Sequence, residues 1–218
     1  FSSDDDINVT NGTLTSMSST DNITWTGIFT PSTNTEDATN TFSLATSYSD
    51  VVGNAGPAAT TLNYEVDTLA PTTSGIAITG AIGSQNNLLN VGDILSITAT
   101  FSESVIVDNS SGNPQLTLIV GSTNRTASYA SGSGSTGLVF QYTIQAGETD
   151  SDGISIGVNS LALNSGTIRD AAGNNATLTH DAAAANSSYK VDTTAPTASW
   201  GTATDNVGSI TGTLSSGD

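Results

Sequence analysis

Asp93–Phe101 reads DILSITATF. Leu95, Ile97, Ala99 and Phe101 fall on one face; Ser96, Thr98 and Thr100 fall on the other. A period of two with one apolar face predicts a half-buried β-strand. The pattern recurs in GLVFQYTI, through Leu138, Phe140, Tyr142 and Ile144, and in PQLTLIV, through Leu116, Leu118 and Val120. Upstream, NITWTGIFT sets Ile23, Trp25 and Phe29 among threonines, with Gly27 reading as a bulge. Turn clusters such as SSGNP and SGSGSTG separate these runs. The best helix candidate, HDAAAANSS, is short. Strands spaced by turn signals predict an all-β sandwich.

Two phrases occur twice. Asp50–Asn54 and Asp170–Asn174 both read Asp-x-x-Gly-Asn; Val66–Thr72 and Val191–Thr197 both read Val-Asp-Thr-x-Ala-Pro-Thr. Proline fixes φ and drives the residue before it out of the helical region, so each second phrase reads as a short extended linker. The predicted organisation is a domain at 1–66, a linker at 67–72, a complete domain at 73–191, and at 192–218 a linker with the start of a third domain. FSSDDDINVTNG at Phe1–Gly12 aligns with FSESVIVDNSSG at Phe101–Gly112, well inside the middle domain. The first domain is therefore expected to lack its opening strands.

Among 218 residues, 20 acids face three bases, Arg125, Arg169 and Lys190, for a net charge of −17. Such a surface repels nucleic acid, whose phosphates require Lys and Arg, and attracts cations. There is no cysteine, which excludes disulfides and thiolate metal sites. No apolar run approaches the roughly 20 residues of a membrane helix, and no signal peptide opens the sequence. The hydrophobic share of 35% lies below the globular average of about 45–50%, yet the period-two runs argue against disorder.

FSESV, YTIQAGETDSDGISI, DAAGN and VDTTAPT resemble the tandem bacterial Ig-like repeats of giant RTX/Bap-type surface adhesins. The stretch from DINVTNGTL to DVVGN resembles a second subtype of these repeats. The resemblance covers nearly the whole chain. It implies Ig-like sandwiches in tandem, forming an extracellular stalk on a Gram-negative cell surface. It further implies type I secretion, calcium dependence, and a part in adhesion or biofilm formation. Neighbouring repeats and calcium are then the expected partners, with no nucleic acid and no membrane insertion.

Two groups of oxygen ligands stand out. Glu148, Asp150 and Asp152 alternate ahead of Gly153, like the front half of a calcium loop. The distal glutamate of an EF-hand is missing, so a ligand from elsewhere must complete the set; the alternative is a polar hairpin loop. The second group is the doubled phrase. Asp50 with Asn54, and Asp170 with Asn174, lie near the end of each predicted domain, and Asp67 and Asp192 lie in the linkers that follow. Loops of a sandwich gather at its two poles, so a final loop and the exit linker can meet there. An asparagine carbonyl and Asp93 or Asp205 would add oxygens, and the family resemblance supplies most of the reason to place an ion there. The same phrase is also ordinary turn chemistry. Asp4, Asp5 and Asp6 form a further acidic run, and Glu103 reads as a structural or surface residue.

Catalysis finds little support. His180 is the single histidine, so a triad has no evident base, and pairs among so many acids are uninformative. Trp25 and Trp200 read as packing residues. The expected function is a calcium-stiffened structural spacer and not an enzyme. The rival readings are a glycan- or protein-binding module, an accessory domain of an extracellular hydrolase, and donation of strands from the last residues to another molecule's first domain.

Overall fold

The computed structural model describes residues 6–199. Among them every regular element is a β-strand. The part up to Asp67 holds short strands: β1 (Ile7–Asn8), β2 (Gly12–Leu14), β3 (Phe29–Pro31), β4 (Glu36–Asn40), β5 (Ser43–Leu44), β6 (Ala59–Thr60) and β7 (Tyr64–Asp67). They pair as β1-β5-β6, β2-β3 and β4-β7. Beyond the linker come β8 (Thr73–Ile82), β9 (Leu88–Leu89), β10 (Ile94–Asp108), β11 (Gln115–Val120), β12 (Thr123–Ser131) and β13 (Ser135–Thr143). The chain continues with β14 (Thr149–Asp150), β15 (Ser155–Ala162), β16 (Thr167–Arg169) and β17 (Lys190–Asp192).

One sheet runs β15-β11-β12-β13-β10-β16, with β8 also on β10, and a smaller one runs β14-β17-β9. Strand β10 organises this part. Ile94–Thr100 lies between β13 and β8; past a break in register, Ile106–Asp108 pairs with β16. A strand that changes partners across a bulge turns the corner of a sandwich. The architecture is an all-β Ig-like sandwich.

The predicted alternation is realised in burial. Leu95, Ile97, Ala99, Leu116, Leu118, Leu138 and Phe140 are fully buried, and Phe101, Tyr142 and Ile144 nearly so. This apolar cluster draws all its members from Ile76 to Val191. Before it, Val66 is the one buried hydrophobic residue among those described. That part holds instead a half-buried aromatic trio, Phe29, Phe42 and Tyr64, with ring centroids 4.9–5.7 Å apart. The alanine-rich stretch after His180 is extended, with Ala183 bridging Ile156.

The linker is gripped from both sides. The Thr68 N–H donates to the Thr35 carbonyl, and the Thr68 hydroxyl to the Ser32 carbonyl. Beyond it, the Ser102 N–H donates to the Thr72 carbonyl and the Thr177 N–H to the Pro71 carbonyl, and Thr72 and Thr177 form a parallel bridge.

Candidate metal centre at the linker

Three acids from distant parts of the chain converge beside this linker. Asp67 closes β7, Glu103 stands in the irregular stretch of β10, and Asp170 follows β16. One carboxylate oxygen from each lies within 4.8 Å of the others. The topology explains the meeting. Strand β16 pairs with the second half of β10, which brings Asp170 beside the bend. Pairing of Pro71–Thr73 with Thr177 and Ser102 brings in the linker.

The Asp170 loop is built by its own residues. Asp170 Oδ1 accepts the N–H groups of Gly173 and Asn174 at 2.7 and 2.8 Å. Gly173 sits at φ +98, a region closed to most side chains. The Asn174 amide then donates to Asp170 Oδ2 at 2.8 Å and to the Asp67 carbonyl at 3.2 Å. Asn174 is thus a clamp between loop and linker; it turns N–H groups toward the acids, where the sequence had suggested a carbonyl ligand.

The electrostatics are one-sided. Burial pushes the Glu103 carboxyl above its ordinary value, and the negative charges of Asp170, Asp67 and Glu36 push it further. The one ion pair among the described residues, Arg125 with Glu148, lies elsewhere. The donor set consists of hard carboxylate oxygens, the ligand type of calcium and magnesium.

The other predicted ligands have different partners. Glu148 is buried and accepts from the Arg125 guanidinium, the Tyr142 hydroxyl and the Gln145 N–H. These bonds outweigh burial and hold its carboxyl below the usual range, while Tyr142 is pushed up to about 12 by burial first and Glu148 second. Asp150 is buried and accepts the N–H groups of Gly121 and Gly153, both at 2.7 Å; Asp152 is exposed. The structure therefore does not gather Glu148, Asp150 and Asp152 as one ligand set. Alternation sent the first into an ion pair, and Asp150 closes an Asp-x-x-Gly turn.

The Asp50 loop repeats the asparagine bonds of the Asp170 loop, although the Gly53 N–H donates to the Asp50 carbonyl where the Gly173 N–H donates to Asp170 Oδ1. The Asn54 amide donates to Asp50 Oδ2 at 2.9 Å, and Asp50 Oδ1 accepts the Asn54 N–H at 2.9 Å. These bonds keep the Asp50 carboxyl below its usual range. The pair is exposed and does not join Asp67. Asp192 likewise does not join Asp170: it pairs with Thr149 across β17 and β14, and its carboxylate accepts the Thr194 N–H. The expected meeting of a final loop with its own exit linker is thus corrected: the loop of the second part meets the linker entering it. Asp93 caps its own turn by accepting the Asn90 N–H, and Asp6 accepts from Ser47. Asp4, Asp5, Trp200 and Asp205 lie outside the described residues. Glu103 is the member of the acid cluster that the sequence reading left as a structural or surface residue. Its signal was an acid in FSESV where the apolar alternation of β10 breaks.

His180 is buried. Its Nε2 accepts the Ser160 N–H at 2.8 Å, and its Nδ1–H donates to the Asp181 carbonyl at 2.7 Å, so the ring ties two segments together.

A family model described as a bacterial Ig-like domain matches residues 1–66. No curated protein and no solved structure matches the chain.

Proposed function

We propose that this chain is a structural spacer from a large bacterial cell-surface adhesin, stiffened by calcium at the linker formed by residues 67–72. In this reading it acts outside the cell after type I secretion, performs no catalysis, and holds an adhesive tip away from the surface. The match of residues 1–66 to a bacterial Ig-like family supports a surface or extracellular module. The acid cluster of Asp67, Glu103 and Asp170 is the observation that carries the calcium part. Each acid belongs to a different stretch of chain, so neutralising them together favours one fixed arrangement of linker and sandwich.

Asp67, Glu103 and Asp170 would hold the ion, which would supply positive charge and accept their lone pairs where three carboxylates otherwise repel. Asp170 is preset by its loop, Asn174 holds the linker close, and burial and neighbouring negative charge hold the Glu103 carboxyl above its ordinary value. A ligand bound only to the ordered state stabilises it by about 2.7 kcal/mol at a hundredfold excess over its Kd. For a chain of this size that corresponds to a rise of several degrees in melting temperature, at about 2–4 °C per kcal/mol.

The test is a thermal melt with calcium and with chelator, for the natural chain and for Glu103→Gln. The natural chain should melt several degrees higher in calcium. The variant should melt higher than the natural chain in chelator, because one like charge is gone, and should respond little to calcium. Solution scattering should show a longer maximum dimension in calcium. Identical melts in calcium and chelator would remove calcium from the account.

A further inference from the structure

Asn11 and Gly12, at the entry to β2, form the sole Asn-Gly pair in the sequence. The backbone imposes both residues. Asn11 sits at φ +53, a left-handed conformation in which asparagine is enriched. A Cβ on Gly12 would collide with the Phe29 ring and the Thr30 carbonyl, so glycine alone fits. The other left-handed asparagines among the described residues, Asn22, Asn34, Asn86, Asn87, Asn159 and Asn164, each precede a residue with a side chain. The difference is chemical. The backbone nitrogen after an asparagine can attack the carboxamide carbon, and a side chain on that next residue obstructs ring closure. At Gly12 there is no such obstruction.

The fold restrains the same carboxamide by other means. Asn11 Nδ2 donates to Asp37 Oδ2 at 2.8 Å and to Asn40 Oδ1 at 2.7 Å. Both acceptors are fixed. Asp37 also accepts the N–H and the hydroxyl of Thr39, and these bonds together with that of Asn11 hold its carboxyl below the usual range. Asn40 is buried, and its own amide donates to the Asp37 and Tyr64 carbonyls at 2.8 and 3.3 Å, which leaves Oδ1 to face Asn11. The clamp fastens the start of β2 to β4, which pairs with β7. It shares no residue with the acid cluster at the linker.

We propose that Asn11 is a latent modification site: the clamp of Asp37 and Asn40 withholds it from succinimide formation while the first part is closed, and opening of that part releases it to deamidate. In the reaction the Gly12 nitrogen bonds to Asn11 Cγ, the Cγ–Nδ2 bond breaks, and Nδ2 leaves as ammonia with the proton of the Gly12 N–H. Both clamp bonds must be released for this. Water then opens the ring at either carbonyl, which yields aspartate or isoaspartate with no change of oxidation state. Neither product refits. A carboxylate only accepts hydrogen bonds, so at residue 11 it would confront the Asp37 carboxylate and Asn40 Oδ1 with no proton to offer either. Isoaspartate also lengthens the backbone ahead of Gly12, where Phe29 and Thr30 leave no room. The change runs one way and records that the first part has been open.

The experiment incubates the full chain in mildly alkaline buffer, with and without urea, and follows the fragment containing Asn11 by mass and by enzymatic methylation of isoaspartate. The natural chain should deamidate at Asn11 at least about tenfold more slowly in buffer than in urea, a ratio set by the free energy of local opening. Asp37→Ala, which removes one acceptor, should raise the rate in buffer and leave the rate in urea unchanged. Asp37→Asn keeps an acceptor oxygen and should stay near the natural rate. Asn11→Asp should lower hydrogen-exchange protection in β2 and β4 by about tenfold and leave β10 to β13 unchanged. Equal rates in buffer and urea for the natural chain would overturn the proposal whatever the variants do. So would a natural rate in Asp37→Ala, or natural protection in Asn11→Asp.

Discussion

The loops at Asp50–Asn54 and Asp170–Asn174 share the Asp-x-x-Gly-Asn phrase, glycine geometry and the bonds of asparagine to aspartate, with Gly53 at φ +92 and Gly173 at φ +98. Their surroundings differ. Asp170 is buried, with Glu103 and Asp67 at its side; Asp50 is exposed and, among the described residues, joins no cluster of acids. The same contrast holds on the scale of the two parts. From Ile76 to Val191 one apolar cluster runs throughout, whereas before the linker Ile23, Ile28, Val51, Val52 and Leu62 stand exposed. A short phrase determines its own turn. Whether that turn becomes a site depends on which strands the topology lays beside it.

The largest break in this comparison should come from the cores. Phe140→Ala removes a fully buried ring and should lower stability by about 3–5 kcal/mol. Phe42→Ala, in the half-buried trio, should lower it by only about 1 kcal/mol. Urea unfolding of each variant measures both, and equal losses would mean that the first part is as well packed as the second.

Next comes the buried carboxylate network. Glu148→Gln breaks the pair with Arg125 and should cost about 1–3 kcal/mol. The pH dependence has a definite sign. The folded Glu148 value is depressed, so its contribution is present above the ordinary glutamate value of about 4.3 and disappears as pH falls through the lower folded value. Tyr142 is raised to about 12, so its contribution is intact below its ordinary value of about 10 and disappears as pH rises toward about 12. Melts across both windows should fall at each end in the natural chain, with the acid arm flattened in Glu148→Gln.

Glu103 should behave with the opposite sign to Glu148. Its folded value is raised, so in chelator stability is greatest below the ordinary glutamate value and declines as pH rises through the folded one. Calcium should remove that decline, and Glu103→Gln should abolish it in chelator. Thermal melts in the two media would show it; a flat profile for the natural chain in chelator would mean that the three acids do not repel appreciably.

The smallest effect separates the two loops most directly. Gly53→Ala and Gly173→Ala both force alanine to positive φ and should each cost about 1–2 kcal/mol. Only Gly173→Ala should also blunt the calcium response, read as the melting shift between calcium and chelator.

Much of the second part is legible in its sequence. The alternation at Leu95–Phe101 and Leu138–Ile144 identified strands and their buried faces, because period two leaves one choice once a face must be dry. The Val66–Thr72 phrase reads as an extended linker at 67–72, since proline allows little else. The acid cluster was only partly legible. Asp67 and Asp170 were marked by their repetition, as was Asn174, the clamp between them. Glu103 was not, because its role depends on a bulge that turns β10 toward β16. Glu148 misled for a related reason: alternation of acids says which side chains share a side, but not that Arg125 and Tyr142 already occupy it.

The bridges at the two ends of the second part bear on how it carries load. Thr72 is held parallel to Thr177, and Lys190 and Val191 are held parallel to Leu88 and Leu89. Backbone bonds in such ladders lie across the strands. Tension drawn along the polypeptide at either end therefore strains the rungs of each grip together, as a lap joint is strained, instead of unzipping them in succession.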